Sequence, residues 1–170
     1  MDKELIKGLI AEYQQFVKSV SFVKRAVTLS DNFNYVFVGL RRVGKSYLMY
    51  QQIHHLIETG ISPEEILFFN FEDERIAGMD TEHLDMIKRC YEEMYSHRPI
   101  FFLDEIQIVP HWEQFVRRLA DQKYRVYVTG SNAKMLSKDI ATTLGGRFMI
   151  QYVYPCLLYT SPSPRDVEES

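Results

Sequence analysis

Apolar and polar positions along this chain follow two patterns, helical spacing and short continuous runs. From Glu4 to Val17, Leu5, Ile6, Leu9, Ile10, Tyr13, Phe16 and Val17 recur at helical spacing with charge between them, which predicts an amphipathic helix packed on the domain. Phe22 to Leu29 is mixed and reads as a short strand or a loop, and Ser30-Asp31-Asn32 is a turn signal. Tyr35 to Val38 has strand character, and Tyr47 to Glu58 runs as a helix that Thr59-Gly60 closes. Ser62 to Glu65 is a turn or a short helical start, and Ile66 to Phe71 is a second strand, apolar nearly throughout. A helix over Thr81–Tyr95 carries Leu84, Ile87, Tyr91 and Met94 on one stripe, and Ile100 to Leu103 is a third strand. Trp112 anchors a helix reaching Asp121, and Arg125 to Val128 is a fourth strand ending at Thr129-Gly130-Ser131-Asn132. Ala133 to Ile140 reads as helical and Arg147 to Val153 as a fifth strand. Continuous apolar strands suit parallel positions covered on both faces. The alternation predicts an α/β fold, a five-stranded, mainly parallel sheet with helices on both faces.

Between the first strand and its helix lies Gly39-Leu40-Arg41-Arg42-Val43-Gly44-Lys45-Ser46. It fits G-x-x-x-x-G-K-[ST], the P-loop or Walker A pattern, in the strand–loop–helix setting that the pattern requires. Glycine at positions 39 and 44 lets the loop wrap closely, so that backbone N–H groups of the loop and of Tyr47 converge on phosphate oxygens. The helix beginning near Lys45 aims its positive end at the same place. Lys45 adds a full charge between β- and γ-phosphates, and the Ser46 hydroxyl is a ligand for Mg²⁺.

The third strand ends in Asp104-Glu105. Strands often end in an acid, but downstream of such a loop this is a Walker B pattern, at the sheet edge where open α/β folds bind ligands. Asp104 is the expected Mg²⁺ partner and Glu105 the base that orients and deprotonates a water. At the end of the fourth strand Thr129, Ser131 or Asn132 can hydrogen-bond the γ-phosphate or the water, Ser131 and Asn132 not being separable, and the alternative is a plain Gly-Ser-Asn turn. Arg147, after Gly145-Gly146, is either an arginine finger for a neighbouring subunit's nucleotide or a solvated arginine.

Composition narrows the picture. The 170 residues, 46% hydrophobic and 25% charged, fit one soluble domain. A net charge of −3 supplies no global field for nucleic acid or an anionic membrane. Arg117-Arg118 and Lys88-Arg89 read as solvated helical charges rather than DNA contacts. The N-terminus lacks a signal-peptide layout and no apolar run suits a membrane helix, so a cytoplasmic location is expected. The five histidines show no ligand spacing with cysteine, which leaves Mg²⁺ as the expected metal.

Cys156 to Asp166 looks like a translated sequencing-library transposon adapter, and Val167 to Ser170 follow from it. Residues 156–170 are therefore expected to be a non-native tail, with 1–155 the core and 1–19 its N-terminal helix. Cys90 is then the one native cysteine, without a disulfide framework.

Phe71-Glu72-Asp73-Glu74-Arg75, Leu103-Asp104-Glu105-Ile106-Gln107, Trp112-Glu113 and Thr129-Gly130-Ser131-Asn132 recur together with the P-loop. Over Phe22 to Pro155 the chain resembles the AAA+-type ATPases widespread in bacteria and archaea. The resemblance implies a core of strand order 5-1-4-3-2, with Lys45 and Ser46 in Walker A, Asp104 and Glu105 in Walker B and sensor 1 near Ser131-Asn132. It also implies a helical lid and a separate C-terminal domain, absent from these residues, the latter defining the target. The expected activity is Mg²⁺-dependent ATP hydrolysis. The alternatives are a nucleotide-dependent switch with slow turnover and, less favoured without an acceptor pocket, a small-molecule kinase.

Overall fold

The computed structural model describes residues 1–155, and the tail of residues 156–170 read as adapter lies outside the described residues. Among the described residues five strands form one parallel sheet in the order β2-β3-β4-β1-β5: β1 Asn34–Val38, β2 Ile66–Asn70, β3 Ile100–Asp104, β4 Val126–Gly130 and β5 Phe148–Tyr152. Viewed from the other edge this is the expected 5-1-4-3-2. β3 and β4 are buried at every position, as their unbroken apolar runs require. Tyr127 of β4 stacks on Phe102 of β3, ring centroids 4.5 Å apart, and its hydroxyl accepts from Gln52 Nε2 at 3.0 Å. A tyrosine is thus buried at the sheet centre with its polar tip satisfied.

Among the described residues six helices accompany the sheet: α1 Lys3–Ser19, α2 Lys45–Glu58, α3 Thr81–Met94, α4 Trp112–Asp121, α5 Ala133–Leu136 and α6 Ile140–Thr143. The predicted Ala133–Ile140 helix is therefore broken, with Ser137 extended at ψ 149 and its Oγ accepting from Asp139 N at 3.1 Å. A serine turn there outcompetes helix continuation. α2 starts two residues before Tyr47 and ends in a Schellman arrangement, with Ile61 N donating to Leu56 O and Gly60 N to Ile57 O, both at 3.1 Å. Gly60 supplies the positive φ of 111° that this ending requires. Residues 22–29, where the sequence allows either a strand or a loop, have no strand pairing. No helix among the described residues is long and apolar enough to cross a membrane.

α1 is integral to the core. Ile6, Leu9, Ile10, Tyr13 and Val17 are buried, and the helix packs on β2 and α3. It also manages an edge of the sheet. Gln14 Nε2 donates to Ile66 O at 3.2 Å, satisfying a carbonyl that would otherwise invite another strand. Tyr13 Oη donates to Asp73 Oδ2 at 2.6 Å, and Arg75 joins the same carboxylate at 2.7 Å and Glu12 at 2.6 Å. Arg75 holds the Asp73 carboxyl well below its usual range. This cluster fixes the turn after β2, where Glu72 begins to face the phosphate loop.

Ile10→Ala should therefore cost about 2–5 kcal/mol in urea denaturation, as burial and a cavity dictate. Wild-type stability in that variant would show α1 to be an appendage.

Candidate functional site

The loop between β1 and α2 turns tightly because two of its residues take left-handed conformations, Arg42 at φ 64° and Gly44 at φ 101°. Gly39 has no room for a side chain, since a Cβ there would strike the carbonyl of Val153 and come within 3.0 Å of Val43. The two motif glycines therefore have separate reasons, close approach at Gly39 and backbone conformation at Gly44. Lys45 is folded over the loop and buried. Its Nζ donates to Gly39 O at 3.1 Å and Leu40 O at 2.7 Å, and lies 3.5 Å from Glu105 Oε1. The Lys45 and Glu105 side chains are 3% and 7% exposed, so this is a buried ion pair rather than a screened surface contact.

The end of β3 supplies the opposing charges. Ser46 Oγ donates to Asp104 Oδ2 at 2.8 Å, and Thr129 Oγ1 donates to Asp104 Oδ1 at 2.6 Å. Thr129 Oγ1 also accepts from Glu105 N at 2.8 Å. Burial pushes the Asp104 carboxyl up to about 6, hydrogen bonds from Thr129 and Ser46 oppose the rise, and the charges of Glu105 and Glu72 add to it. Glu105 has positive φ, 55°, an uncommon conformation without glycine and a form of strain that clusters at functional sites. Its Oε2 accepts from Gln107 Nε2 at 2.6 Å and Ser131 Oγ at 3.0 Å. The other oxygen, Oε1, faces Lys45.

A cleft of about 450 Å³ opens over these groups, lined among others by Arg41, Arg42, Gly44, Tyr47 and Glu72. Arg41 forms an ion pair with Glu72 across it. Leu40 belongs to the loop but points outward and is exposed, while Val43 is buried beneath it. The fold thus brings Lys45, Ser46, Asp104, Glu105 and Ser131 into one bonded cluster. Ser131 and Asn132, not separable in sequence, part company here. Ser131 touches Glu105, whereas Asn132 caps α5 by accepting from Met135 N at 2.9 Å. Arg147 lies elsewhere, at the amino end of β5 on the opposite edge of the sheet, paired with Asp121 at 2.5 Å. The sequence places Gln107 in a motif but gives it no role, and the structure puts it on Glu105. Its position two residues after Glu105 is the available signal, but only the short helical turn at Ile106–Ile108 folds it back onto that carboxylate. Gly130 has no room for a Cβ because Gln107 and Met135 press against it.

Asp104 and Ser46 form an all-oxygen donor pair, with Ser46 lining the cleft and Asp104 buried behind it. Such a set suits a hard cation that keeps waters and takes further oxygens from phosphates.

Residues 31–159 match the AAA domain family. An uncharacterized protein of Methanocaldococcus jannaschii is 33% identical over 155 residues, covering 90% of this chain and 34% of its own length. An uncharacterized protein of Haemophilus influenzae is 35% identical over 139 residues, covering 79% of this chain and 34% of its own. A second Methanocaldococcus jannaschii protein, also uncharacterized, is 30% identical over 122 residues, covering 69% of this chain and 25% of its own. The chain thus spans about a third or less of the length of these relatives.

The raised proton affinity of Asp104 sets the sign of a pH dependence. Folding lifts this acid from an ordinary 3.8 to about 6, so the folded state holds the proton more tightly. Its contribution to stability therefore falls as pH rises from about 4 to 6 and stays low above. Thermal melts in EDTA should show wild type losing stability relative to Asp104→Asn across that window. Parallel pH profiles for the two proteins would contradict the assignment.

Proposed function

The chain belongs to the AAA domain family, and from that premise we propose that its cleft binds ATP with Mg²⁺ and hydrolyses the γ-phosphate. The observation that carries this reading is the convergence of Lys45, Ser46, Asp104 and Glu105 in one buried cluster. Ser46 and Asp104 would hold Mg²⁺, which supplies Lewis-acid neutralisation of phosphate charge. Lys45 exchanges the Gly39 and Leu40 carbonyls for phosphate oxygens, so its charge is already positioned beside the loop amides. Gln107 and Ser131 occupy one oxygen of Glu105 and leave Oε1 to take a proton. A water attacks the γ-phosphorus, the bond to ADP breaks, and the water's proton passes to Glu105 Oε1. Thr129 keeps Asp104 and the Glu105 backbone in register throughout.

A switch with slow turnover is the second reading, favoured by the Lys45–Glu105 contact. The phosphate-binding cation and the base hold one another at 3.5 Å, so separating them becomes a gate on the chemical step. A role for Arg147 requires a second copy of the chain, whose cleft it would enter in trans.

Lys45→Ala should lose most ATP affinity in calorimetric titration, and equal binding by wild type and variant would contradict the reading. Glu105→Gln keeps the shape and removes the base. It should still bind Mg·ATP while turnover falls by about 10²-fold or more. Undiminished turnover would place the base elsewhere in the cleft, at Glu72. Asp73 is committed to Tyr13 and Arg75.

A further inference from the structure

Arg25 lies in the extended segment before β1, far from every motif in the sequence, yet its guanidinium sits directly behind the phosphate loop. One nitrogen donates to the carbonyl of Val43. The other donates to Tyr154 O at 2.8 Å, just past the end of β5. The backbone of Arg25 is itself clamped at two points by one side chain of α2. Arg25 N donates to Gln51 Oε1 at 2.7 Å, and Gln51 Nε2 donates to Arg25 O at 2.9 Å. The guanidinium therefore hangs from the helix that begins at Lys45 and grips the loop leading into it. A Cβ on Gly44 would stand 2.7 Å from the same guanidinium, so Arg25 takes the space that glycine leaves.

We propose that Arg25 is a positioning residue for phosphate binding, fixing the direction of a loop amide and tying the loop to the chain that leaves β5. The peptide between Val43 and Gly44 is planar and trans, so its carbonyl and its N–H point opposite ways. Holding the Val43 carbonyl outward turns the Gly44 N–H inward, toward the cleft that Gly44 lines. A charged donor on that carbonyl also polarises the peptide, which strengthens the N–H as a donor to an anion. The second arm has a mechanical effect. Val153 N donates to Val38 O at 2.8 Å and its carbonyl closes on Gly39, so the chain after β5 already lies along the start of the loop. Arg25 joins that chain to the loop's far end as well. Lysine in its place has one ammonium and cannot present a fork to two carbonyls.

This inference rests on the nucleotide reading of the cleft, and its test separates the two. Binding of Mg·ATP and of tripolyphosphate, a probe with no base or ribose, is titrated for wild type, Arg25→Ala, Arg25→Lys, Gln51→Ala and Lys45→Ala, with melting temperatures in parallel. Arg25→Ala should weaken both ligands by a similar factor of about tenfold, the scale of one hydrogen bond to a charged group. Arg25→Lys should fall between wild type and Arg25→Ala, and Gln51→Ala should shift both ligands the same way by less. These two variants carry the test if Arg25→Ala does not fold. Weaker ATP binding with unchanged tripolyphosphate binding would mean that Arg25 serves the base or ribose, and overturns the proposal. A lower melting temperature with unchanged affinities would reduce Arg25 to a packing role, and overturns it equally. Both leave the cleft reading standing so long as Lys45→Ala loses ATP in the same series. Wild type binding neither ligand, or Lys45→Ala binding both normally, overturns the two together.

Discussion

Two carboxylates and one ammonium are buried together at the carboxyl end of the sheet, and the local architecture exists to hold them there. Asp104 and Glu105 are buried at the end of β3, and Lys45 is the cation that reaches Glu105. Charges removed from water are tolerated only when paired and hydrogen-bonded. Ser46, Thr129, Gln107 and Ser131 meet that demand for the acids, and the Gly39 and Leu40 carbonyls for the lysine. The balance is incomplete, since two acids face one lysine. Burial raises the proton affinity of Asp104, and the charges of Glu105 and Glu72 add to it. An additional cation beside Asp104 would offset that burial, which is the physical basis of the proposed Mg²⁺ position.

That cluster depends on elements far from it. β3 and β4 run in register, so Leu103 pairs with Val128 and places Thr129 level with Asp104. α1 satisfies the outer edge of β2 through Gln14 and fixes the following turn through Tyr13 and Asp73. Glu72 can then face Arg41 across the cleft. At the other side, the chain past β5 lies against Gly39 and is joined to Val43 through Arg25. The loop is therefore bracketed by both flanks of the sheet.

Much of this was legible in the sequence because it rests on local patterns. The strands are mostly apolar runs and the phosphate loop is one continuous motif, so their existence could be read, while the sheet order came from the family resemblance those motifs carry. The acids at 104 and 105 were legible for the same reason, as the last residues of such a run. What could not be read depends on contacts between distant residues or on competition within a turn. Arg25 meets Tyr154 across 129 positions, and nothing near either residue announces the other. The burial of Lys45 against its own loop is a tertiary outcome, since the motif alone fixes only its attachment. The break at Ser137 reflects a side-chain turn winning over a weak helix. Ser131 and Asn132 are chemically alike as turn residues, and only the start of α5 at Ala133 commits Asn132 to capping.

The AAA family match covers residues 31–159, and the buried cluster lies within them. Whether this cleft is the place where nucleotide engages is best measured by amide hydrogen exchange with and without Mg·ATP. The account predicts slowed exchange in two separate segments, the loop over residues 39–46 and the strand end over residues 104–107. Protection confined to the groove between residues 22–29 and α2, or no protection at either segment under saturating Mg·ATP, would contradict it.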